Sequence, residues 1–361
     1  MAECLTNLNL ACVPPLPDHV ARPWDAADEY LLLETDGDSP GLLVNDRFGA
    51  LFCARPDWQA WTDSDSARRS WQANATDNNL SWSPKRVLNH LSDLAPDTPQ
   101  ALIKMPKSFD QLCYWLDQIA AVSPDASLWL AGMAKHIPVS WLKYLQTNSG
   151  EYHQYPVRRK ARLIQIKHWQ GSGVKRLSGY KTQSGLTLTG LPGVFAREKQ
   201  DIASHLLLAN MPAATNHASK PGAHLIDLGC GNGLLALSFK QLWPDLMVTA
   251  IDDSQCAAES CRINAGQNEL DIRVIHNDSL SGLSLNADVI VCNPPFHDGH
   301  RQSTDIAVRM FRDSAEQLVS GGELWVIANR HLPYFAQLKR CFGRVKTVAS
   351  DPRFNLFLCI K

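Results

Sequence analysis

The sequence predicts an α/β protein built from two tandem domains of similar layout. Its 361 residues exceed one typical domain, 45% of them are hydrophobic, and short apolar runs alternate with amphipathic stretches in both halves. Strands that read as near-continuous apolar runs are typical of a mostly parallel sheet with helices on both faces. Because the apolar fraction is ample for two cores, a disordered chain is excluded.

The second half carries the clearer pattern, from residue 224 onward. Its candidate strands are His224–Leu228, Met247–Ile251, Ile272–Ile275, Ala287–Cys292, Glu323–Ala328, Val345–Ala349 and Asn355–Ile360, and its candidate helices include Gly233–Leu242, Gln255–Asn264 and Thr304–Val319. The last two strands are joined by a link too short for a crossover helix, so we predict that they are antiparallel. The second domain is therefore expected to contain a seven-stranded mixed sheet.

The first half shows a weaker form of the same rhythm. Apolar runs at Gly41–Asn45, Gly49–Cys53, Gln100–Lys104 and Ser127–Leu130 accompany a predicted helix at Phe109–Val122. The order strand, proline, helix, Leu-Trp strand and histidine occurs in both halves, which we interpret as an internal duplication. The alternative is coincidence between two ordinary α/β stretches. Since the first copy lacks a glycine-rich turn and an Asn-Pro-Pro sequence, we expect it to have kept the fold and lost the chemistry.

Charge is distributed unevenly along the chain. Residues 1–150 hold 11 basic and 18 acidic side chains, whereas residues 152–197 hold nine basic side chains and no acidic one. With this change we place the domain boundaries: a first domain at 1–150, a basic linker and hairpin at 151–190, and a second domain at 191–361. Because a long basic strip attracts polyanions, the first two segments are candidates for nucleic-acid binding or structural support.

Within the basic strip, Arg158, Arg159 and Lys160 are the candidate phosphate contacts. Trp169 and Tyr180 are candidates to stack on unpaired bases, as aromatic side chains do in RNA-binding proteins. The alternative is that the strip is a solvated surface loop followed by a hairpin.

Ten cysteines are scattered through the chain without a C-x2-C pair. Unpaired thiols in apolar runs are typical of a reducing cytoplasm, and their spacing matches no zinc motif, so we expect no metal. Apolar runs stay below the roughly 18 residues that a membrane-spanning helix needs. The first thirty residues are broken by four prolines and do not read as a signal peptide. We therefore expect a cytoplasmic monomer that has no membrane partner.

A glycine-rich turn follows the first strand of the second half, with Gly229, Gly231 and Gly233 placed between an apolar strand and an amphipathic helix. Glycines let a ligand approach the end of a strand, which is where open α/β sheets bind cofactors. The G-x-G-x-G spacing differs from the dinucleotide pattern G-x-G-x-x-G. Asp227 places a carboxylate beneath the turn, which suits a cationic amino-acid group better than a pyrophosphate. Asp252 ends the next strand, where a carboxylate can accept both ribose hydroxyls.

Together these features favour S-adenosylmethionine over NAD as the cofactor. A glycine turn that binds no ligand remains the third reading. The third strand of this half is followed by Asp278, which we predict to lie beside the adenine edge. The alternative for this residue is a turn or helix-capping role, which aspartate commonly fills.

The sequence Asn293-Pro294-Pro295-Phe296 directly follows the strand that ends at Cys292. Two prolines fix the backbone and remove two N–H groups, so the turn presents carbonyl acceptors without competing donors. A planar NH2 group needs two acceptors, which the side-chain oxygen of Asn293 and the carbonyl of Pro294 supply. Phe296 is expected to stack on the ring that bears the amine. This arrangement would aim the nitrogen lone pair at a methyl sulfonium, which also makes Asn293 a candidate contact of the cofactor. A plain structural turn is the alternative.

The two turns together resemble those of class I methyltransferases that modify exocyclic or amide nitrogens. Three stretches narrow the resemblance: LPGVFAREKQDIASHLLL at 191–208, NPPFHDG at 293–299 and IANRHLPYF at 327–335. They are similar to bacterial ribosomal RNA guanine-N2 methyltransferases built from two homologous halves, which act on small- or large-subunit RNA. The last stretch and the basic middle are closer to the large-subunit members. The implied fold is two tandem Rossmann-like methyltransferase domains, a degenerate one at 1–150 and a catalytic one at 191–361.

The resemblance also implies roles for residues that the spacing alone does not single out. Its candidates are His297, Arg330 and His331 on the substrate side and Phe195 as a wall of the cofactor pocket. For each substrate-side candidate, an ordinary surface position is the alternative. Family members usually carry serine and glycine where this chain has Ala196 and Ala203, which leaves open whether the nearby Asp201 contacts the cofactor.

The activity implied by the resemblance is transfer of the methyl group of S-adenosylmethionine to N2 of one guanine in 23S (large-subunit) ribosomal RNA. The target base would have to be unstacked or flipped to reach the catalytic turn. Three alternatives remain: a guanine of 16S RNA, the N5 amide of a protein glutamine, or a non-catalytic RNA-binding assembly factor. Enzymes that act on glutamine usually carry tyrosine where this chain has Phe296.

Overall fold

A computed structural model describes residues 5–12, 22–295 and 301–361. The chain forms two compact units, residues 1–176 and residues 177–361. None of the helices within the described ranges has both the length and the apolarity needed to span a lipid bilayer.

The first unit is an α/β fold with one six-stranded sheet. Its elements in chain order are α1 (Ala26–Glu34), β1 (Leu42–Val44), α2 (Ala50–Ala54), β2 (Gln59–Trp61), α3 (Asp65–Asp77), β3 (Gln100–Lys104), α4 (Phe109–Val122), β4 (Ser127–Met133), α5 (Val139–Thr147), β5 (Ser149–Gln154) and β6 (Ala161–Trp169). The strand order is β2-β1-β3-β4-β6-β5, parallel from β2 to β4 and antiparallel from β4 to β5. Apolar side chains from helices on both faces bury the sheet.

The second unit contains a two-stranded hairpin and a seven-stranded sheet. Its elements are β7 (Ser178–Lys181), β8 (Thr187–Gly190), α6 (Ile202–Ala214), β9 (His224–Leu228), α7 (Leu234–Leu242), β10 (Met247–Asp252), α8 (Gln255–Gln267), β11 (Arg273–His276), β12 (Ala287–Cys292), α9 (Arg301–Gln317), β13 (Leu318–Asn329), α10 (Tyr334–Cys341), β14 (Arg344–Ser350) and β15 (Phe354–Ile360). The large sheet has the order β11-β10-β9-β12-β13-β15-β14.

These sheets confirm the predicted α/β class and the mixed seven-stranded sheet. Strands β9 to β13 are parallel, and the final pair β14 and β15 is antiparallel, as the short link between them predicts. The first sheet has the same order of equivalent strands, but the described residues of this unit form no counterpart of the edge strand β11. In its place a single bridge joins Ala60 to Val87. The first unit is thus a reduced copy of the same Rossmann-like arrangement.

Pairs of asparagines show that the likeness between the units extends to hydrogen bonds. In α8 and just after it, Asn264 holds the backbone of Thr189 and Asn268 holds that of Thr187, each through both amide atoms. At the matching places of the first unit, Asn74 holds the backbone of Ala11 and Asn78 that of Asn9 in the same way. The paired asparagines support the interpretation of an internal duplication.

Two local expectations for the first half differ from the structure. The apolar run Gly49–Cys53 is not a strand, because Ala50–Ala54 forms helix α2. Gly49 starts this helix at a φ of 87°, and the carboxylate of Asp46 accepts the N–H groups of Gly49 and Phe52. Short apolar runs fit strands and buried helices equally well, so periodicity alone does not separate them.

The predicted linker at 151–190 is also largely structured. Residues 151–154 and 161–169 belong to β5 and β6 and pair within the sheet of the first unit, while β7 and β8 form the predicted hairpin in the second unit. Ile164 and Ile166 are fully buried in the first core. Net charge reports the exposed face of a segment, so it did not reveal that the other face of β6 is buried.

Candidate active site

The second sheet places two loops side by side at its carboxyl edge. Strand β9 pairs with β10 on one side and with β12 on the other, which makes the edge above β9 and β12 the topological switch point where open α/β sheets bind ligands. In register, Asp227 faces Val291 and Leu228 faces Cys292. The glycine turn after β9 and the Asn-Pro-Pro turn after β12 therefore start at the same level.

Hydrogen bonds from neighbouring strands fix the glycine turn. Gly229 and Cys230 both donate their N–H groups to the carbonyl of Ile251, at 2.8 and 3.0 Å. Gly231 donates to the carboxylate of Asp252 at 2.9 Å, and that carboxylate also accepts the N–H of Ser254 at 2.9 Å. Asp252, the residue predicted to bind the ribose, thus anchors the glycine turn. Its carboxylate has enough lone pairs to accept further hydrogen bonds.

All three glycines of the turn have positive φ angles, between 55° and 85°. A Cβ atom added to Gly233 would meet the Sγ of Cys261 at 2.7 Å, so this position requires glycine for packing as well as for its backbone conformation. A Cβ atom on Gly231 would meet nothing within 4 Å, because the turn opens there onto free space. The backbone at Gly231 is therefore accessible to a ligand.

Asp227 lies beneath this turn and is 1% exposed. Its Oδ2 accepts the N–H of Ala236 at 2.9 Å, whereas its Oδ1 is buried and has no hydrogen-bond partner among the described residues. Burial raises the pKa of Asp227 to about 7; the Ala236 N–H opposes this shift and the charge of Asp252 adds to it. A buried carboxylate with one unpaired oxygen fits a cationic ligand group.

Asn293 has a similar unpaired oxygen. Its Nδ2 donates to Asp201 Oδ2 at 3.0 Å and to Ser204 Oγ at 3.2 Å, at the start of α6. Its Oδ1 is buried and has no partner within the described part of the chain. Pro294 behind it is buried. Since unpaired buried acceptors cost free energy, two of them at adjacent strand ends indicate a site that a ligand completes.

The same edge of the first unit is closed by its own side chains. Lys104, which ends β3, donates to Asp25 at 2.7 Å and to Asp28 at 2.8 Å, at the start of α1. Burial opposes the charge of Lys104, but the Asp28 and Asp25 carboxylates outweigh it, so the pKa of Lys104 is raised. Asp46 uses both carboxylate oxygens on N–H groups of its own turn. These groups leave no unpaired acceptor comparable to those of the second unit among the described residues of this edge.

Asp278, the residue predicted to lie beside the adenine edge, follows β11 at the same edge and is 2% exposed. Both of its carboxylate oxygens accept hydrogen bonds from the guanidinium of Arg309, in a bidentate ion pair. This bond to Asp278 is the main cause of the raised pKa of Arg309. The role of Asp278 beside an adenine ring stays a prediction, and the ion pair supplies a structural role of its own.

The other predicted residues are placed as follows. Phe195 is 61% exposed in the loop before α6. Arg330 and His331 are exposed just beyond β13, where the guanidinium of Arg330 lies 3.4 Å from the carbonyl of Asp351. Phe296 and His297 lie outside the described residues. The structure thus brings Asp227, the glycines, Asp252, Asp278 and Asn293 to one edge of the sheet, and the roles of Phe195, Arg330 and His331 stay predictions.

The three basic residues predicted to contact phosphates, at 158–160, lie in a tight turn before β6. Arg159 and Lys160 occupy its two central positions with positive φ angles, and Arg158 and Ala161 exchange backbone hydrogen bonds. Arg158 contacts Glu34 at 3.0 Å and Arg159 contacts Glu29 at 2.7 Å. Exposed ion pairs of this kind contribute at most about 1 kcal/mol, so they hold the cations in place without removing them from solvent.

The stacking roles suggested for two aromatic residues are not supported equally. Trp169 is buried and its indole N–H donates to Asp117 at 2.7 Å, so the prediction that it stacks on a base is wrong. Tyr180 is partly exposed, and its hydroxyl lies 3.5 Å from the side-chain nitrogen of Asn232 in the glycine turn. Burial raises the pKa of Tyr180. This places Tyr180 beside the glycine turn.

Two family models match separate parts of the chain. The family model "RLMG N-terminal domain" matches residues 2–170, and the model "Methyltransferase small domain" matches residues 185–358. A curated protein from Shewanella amazonensis, named ribosomal RNA large subunit methyltransferase G, is 36% identical over 98% of this chain and 96% of its own length. The chain belongs to the ribosomal RNA large subunit methyltransferase G family. A relative of that name from Photobacterium profundum is 35% identical over 94% of the chain and 93% of its own length.

A solved structure supports the fold of the whole chain. It is a T. thermophilus 16S rRNA N2 methyltransferase in complex with AdoMet and guanosine, with a TM-score of 0.80, 21% identity and full coverage of both chains. At this identity the match shows the shared fold of two methyltransferase-like units. Membership of the methyltransferase G family makes this chain an enzyme that depends on S-adenosylmethionine, as the glycine turn predicts.

Two residues at the start of α6, Asp201 and Ser204, belong to the candidate site by contact, and the sequence assigned a role to neither of them. Asp201 is the N-cap of the helix, and its side chain accepts the N–H of Ser204 at 2.8 Å. An aspartate before an apolar stretch is a helix-start signal, which local sequence does contain. The contact of both residues with Asn293, about ninety positions further on, arises only when the sheet forms.

The open space at Gly231 gives a direct test of the cofactor turn. We expect Gly231→Ala to fold with a loss of about 1 kcal/mol, because of its positive φ, and to lose binding of S-adenosylhomocysteine at least tenfold. Gly222→Ala is the matched control: its φ is 74°, its added Cβ also meets nothing, and it lies before β9. Isothermal titration calorimetry checks both variants. Equal affinities in the two variants would contradict a ligand site at this turn.

Proposed function

We propose that the chain transfers the methyl group of S-adenosylmethionine to the exocyclic N2 of one guanine in 23S ribosomal RNA. The curated relatives that it matches over nearly full length are named large-subunit ribosomal RNA methyltransferases. One structural observation carries the chemistry: the unpaired Oδ1 atoms of Asp227 and Asn293 lie at the ends of adjacent strands. The first suits the cationic end of the cofactor, and the second suits an amino group of the substrate.

The residues fit S-adenosylmethionine as follows. Asp227 would hold the ammonium group, the open backbone at Gly231 would face the ligand, and Asp252 would accept the ribose hydroxyls. Asp278 is the proposed partner of the adenine edge. When bound, S-adenosylmethionine supplies an electrophilic methyl group. The buried strands below the turn keep these groups fixed, so little reorganisation is needed when the ligand binds.

Asn293 and Pro294 would orient the nucleophile. A guanine N2 amine is a weak nucleophile, because its lone pair is delocalised into the ring. The Asn293 Oδ1 and the Pro294 carbonyl would accept its two protons, which fixes the nitrogen and favours a more tetrahedral geometry. Positioning of this kind lowers the barrier without a covalent intermediate. A general base is not required, since the methylated ammonium loses its proton readily to water.

The remaining predicted residues would act on the RNA side. Phe296 is proposed to stack on the flipped guanine, and His297, Arg330 and His331 to contact the neighbouring nucleotides. The first unit, with its closed edge, is proposed to bind RNA through the turn at 158–160 instead of binding a second cofactor. A cytoplasmic monomer would suffice for this activity, because both proposed ligand sites of the reaction lie in the second unit.

Mapping of modified nucleosides tests the proposed function. Ribosomal RNA from cells with and without the protein is digested and analysed by mass spectrometry. We expect one N2-methylguanosine in 23S RNA to disappear in the cells that lack the protein and to return when the gene is restored. Loss from 16S RNA instead would identify the small-subunit alternative. Unchanged RNA together with loss of a methylated glutamine in a release factor would overturn the RNA assignment.

Charge reversal at the basic turn tests the RNA contact. We expect Arg158→Glu, Arg159→Glu and Lys160→Glu together to weaken RNA binding by at least tenfold at about 100 mM salt. Each lost phosphate contact means that fewer counterions are released when RNA binds. The plot of log K against log salt should therefore become less steep by about 2 units. Fluorescence anisotropy with a 23S fragment at several salt concentrations checks this.

The control variant reverses exposed charges elsewhere in the first unit, as Lys85→Glu with Lys143→Glu. It should leave both affinity and salt dependence within about twofold of the unchanged protein. An equal loss in both variants would mean that net charge, and not the turn at 158–160, sets the affinity.

A further inference from the structure

We propose that Asp201, together with Ser204, is a positioning residue that sets the orientation of the Asn293 amide. The proposal rests on the proposed function, since it concerns the group that would accept the substrate amine. Asp201 and Ser204 lie at the start of α6, while Asn293 follows β12. The contact joins two elements that are about ninety residues apart in the chain.

The side-chain amide of asparagine can point its oxygen or its nitrogen toward the substrate, and the two choices have opposite effects. With the oxygen inward, the amide accepts a proton of the guanine amine. With the nitrogen inward, it would donate toward that amine and compete with the proposed chemistry. The two atoms differ little in size, so shape alone does not decide between the orientations.

The partners of Asn293 at the start of α6 decide which atom of its amide faces the substrate. Asp201 Oδ2 is an acceptor, since it receives the Ser204 N–H at 2.8 Å and the Ser204 hydroxyl at 3.0 Å. The hydroxyl proton is thereby directed to Asp201, and a lone pair of Ser204 Oγ faces Asn293. Both neighbours offer only lone pairs at 3.0 and 3.2 Å, which requires the NH2 of Asn293 on this side. The Oδ1 is therefore turned to the other side, where it has no described partner.

The matching place in the first unit supports this reading. There the N-cap Asp25 and Asp28, three residues later, receive the ammonium of Lys104 from the end of β3. An ammonium has donors only, so it leaves no acceptor to face a substrate. Where the first unit has this ammonium, the second unit has the amide of Asn293, whose oxygen remains for a further ligand.

Substitutions of Asp201 distinguish its effect on the orientation of the Asn293 amide from its role as the N-cap of α6. Serine and asparagine both cap helices, so Asp201→Ser and Asp201→Asn should keep α6 stable. Asparagine keeps an acceptor oxygen at the reach of the Asp201 carboxylate, whereas serine is shorter and loses the contact with Asn293. We expect kcat to fall about 10- to 100-fold in Asp201→Ser with KM for S-adenosylmethionine within about threefold. In Asp201→Asn, kcat should stay within about fivefold of the unchanged enzyme.

Ser204→Ala provides a second variant in case Asp201→Ser folds poorly. It removes the hydroxyl but leaves the cap, and kcat should fall several-fold with the same unchanged KM. A fall in affinity for S-adenosylhomocysteine that parallels the fall in kcat would overturn the proposal, because it would place Asp201 in the cofactor site. Values of kcat within twofold of the unchanged enzyme in both Asp201→Ser and Ser204→Ala would overturn it as well.

A measurement without substrate separates this proposal from the proposed function. In protein labelled with 15N-asparagine, the side-chain NH2 signals of Asn293 are identified by their loss in Asn293→Ala. We expect these signals to shift and to exchange faster with solvent in Asp201→Ser than in Asp201→Asn. Unchanged signals in Asp201→Ser would refute the positioning role, whichever substrate the enzyme methylates. Altered signals with a different methylated substrate would uphold the positioning role and refute only the guanine assignment.

Discussion

Replacement of Asn293 by alanine is expected to lower the rate of methyl transfer by about a thousandfold or more while the protein still binds S-adenosylhomocysteine. The variant loses the side-chain acceptor for the substrate amine, and the loss of one positioned transition-state contact together with its alignment accounts for about 4 kcal/mol. The cofactor groups on β9 and β10 remain in place, so affinity for S-adenosylhomocysteine should stay within about threefold. Single-turnover methylation of 23S RNA and calorimetric titration measure the two quantities.

A matched variant shows whether the loss is specific. Asn210→Ala removes an amide in α6 whose Nδ2 binds the carbonyl of Leu206 within the same helix. It should retain the transfer rate within about twofold. If Asn293→Ala retained a tenth or more of the rate, the proposed role of its oxygen would be wrong. If it lost the cofactor as well, the residue would belong to the cofactor site rather than to the substrate.

The parts of the site that the sequence could predict are those set by local structure. An apolar strand, a glycine turn and an amphipathic helix follow one another within fifteen residues, so β9, Gly233 and α7 were placed almost to the residue. Asn293 was predicted from the strand before it and the two prolines after it. The antiparallel final pair followed from the length of one link. Each of these inferences needs only a few neighbouring residues.

The parts that could not be predicted depend on contacts between distant segments. Asp201 reads as an ordinary helix cap, and its bond to Asn293 exists only because the turn after β12 meets the start of α6 in the folded unit. Lys104 reads as an exposed basic residue at a strand end, yet it lies between two carboxylates. The interior face of β6 was hidden by the charges on its other face. Local periodicity and net charge report which face is polar, and they do not report what covers the other.

We expect the buried carboxylate of Asp227 to make cofactor binding depend on pH. Burial raises its pKa to about 7 in the folded protein, against 3.8 as the ordinary value. Between pH 3.8 and about pH 7, the folded state therefore holds a proton that the unfolded state has lost. Free energy of unfolding falls as pH rises through this window, by on the order of 4 kcal/mol from this group. An ammonium ligand favours the ionised form, so binding below pH 7 must release the proton.

We accordingly expect the affinity for S-adenosylhomocysteine to rise about tenfold per pH unit from pH 5 to pH 7 and then to level off. Asp227→Asn removes the titrating group, so its affinity should be lower at pH 7 and nearly independent of pH. The same variant should unfold at a higher temperature than the unchanged protein at pH 8 when no ligand is present, because it no longer buries a charge. Calorimetric titrations in buffers of different ionisation enthalpy count the released protons. A flat affinity profile in the unchanged protein, or an equally steep one in Asp227→Asn, would show that this carboxylate does not hold the ammonium group.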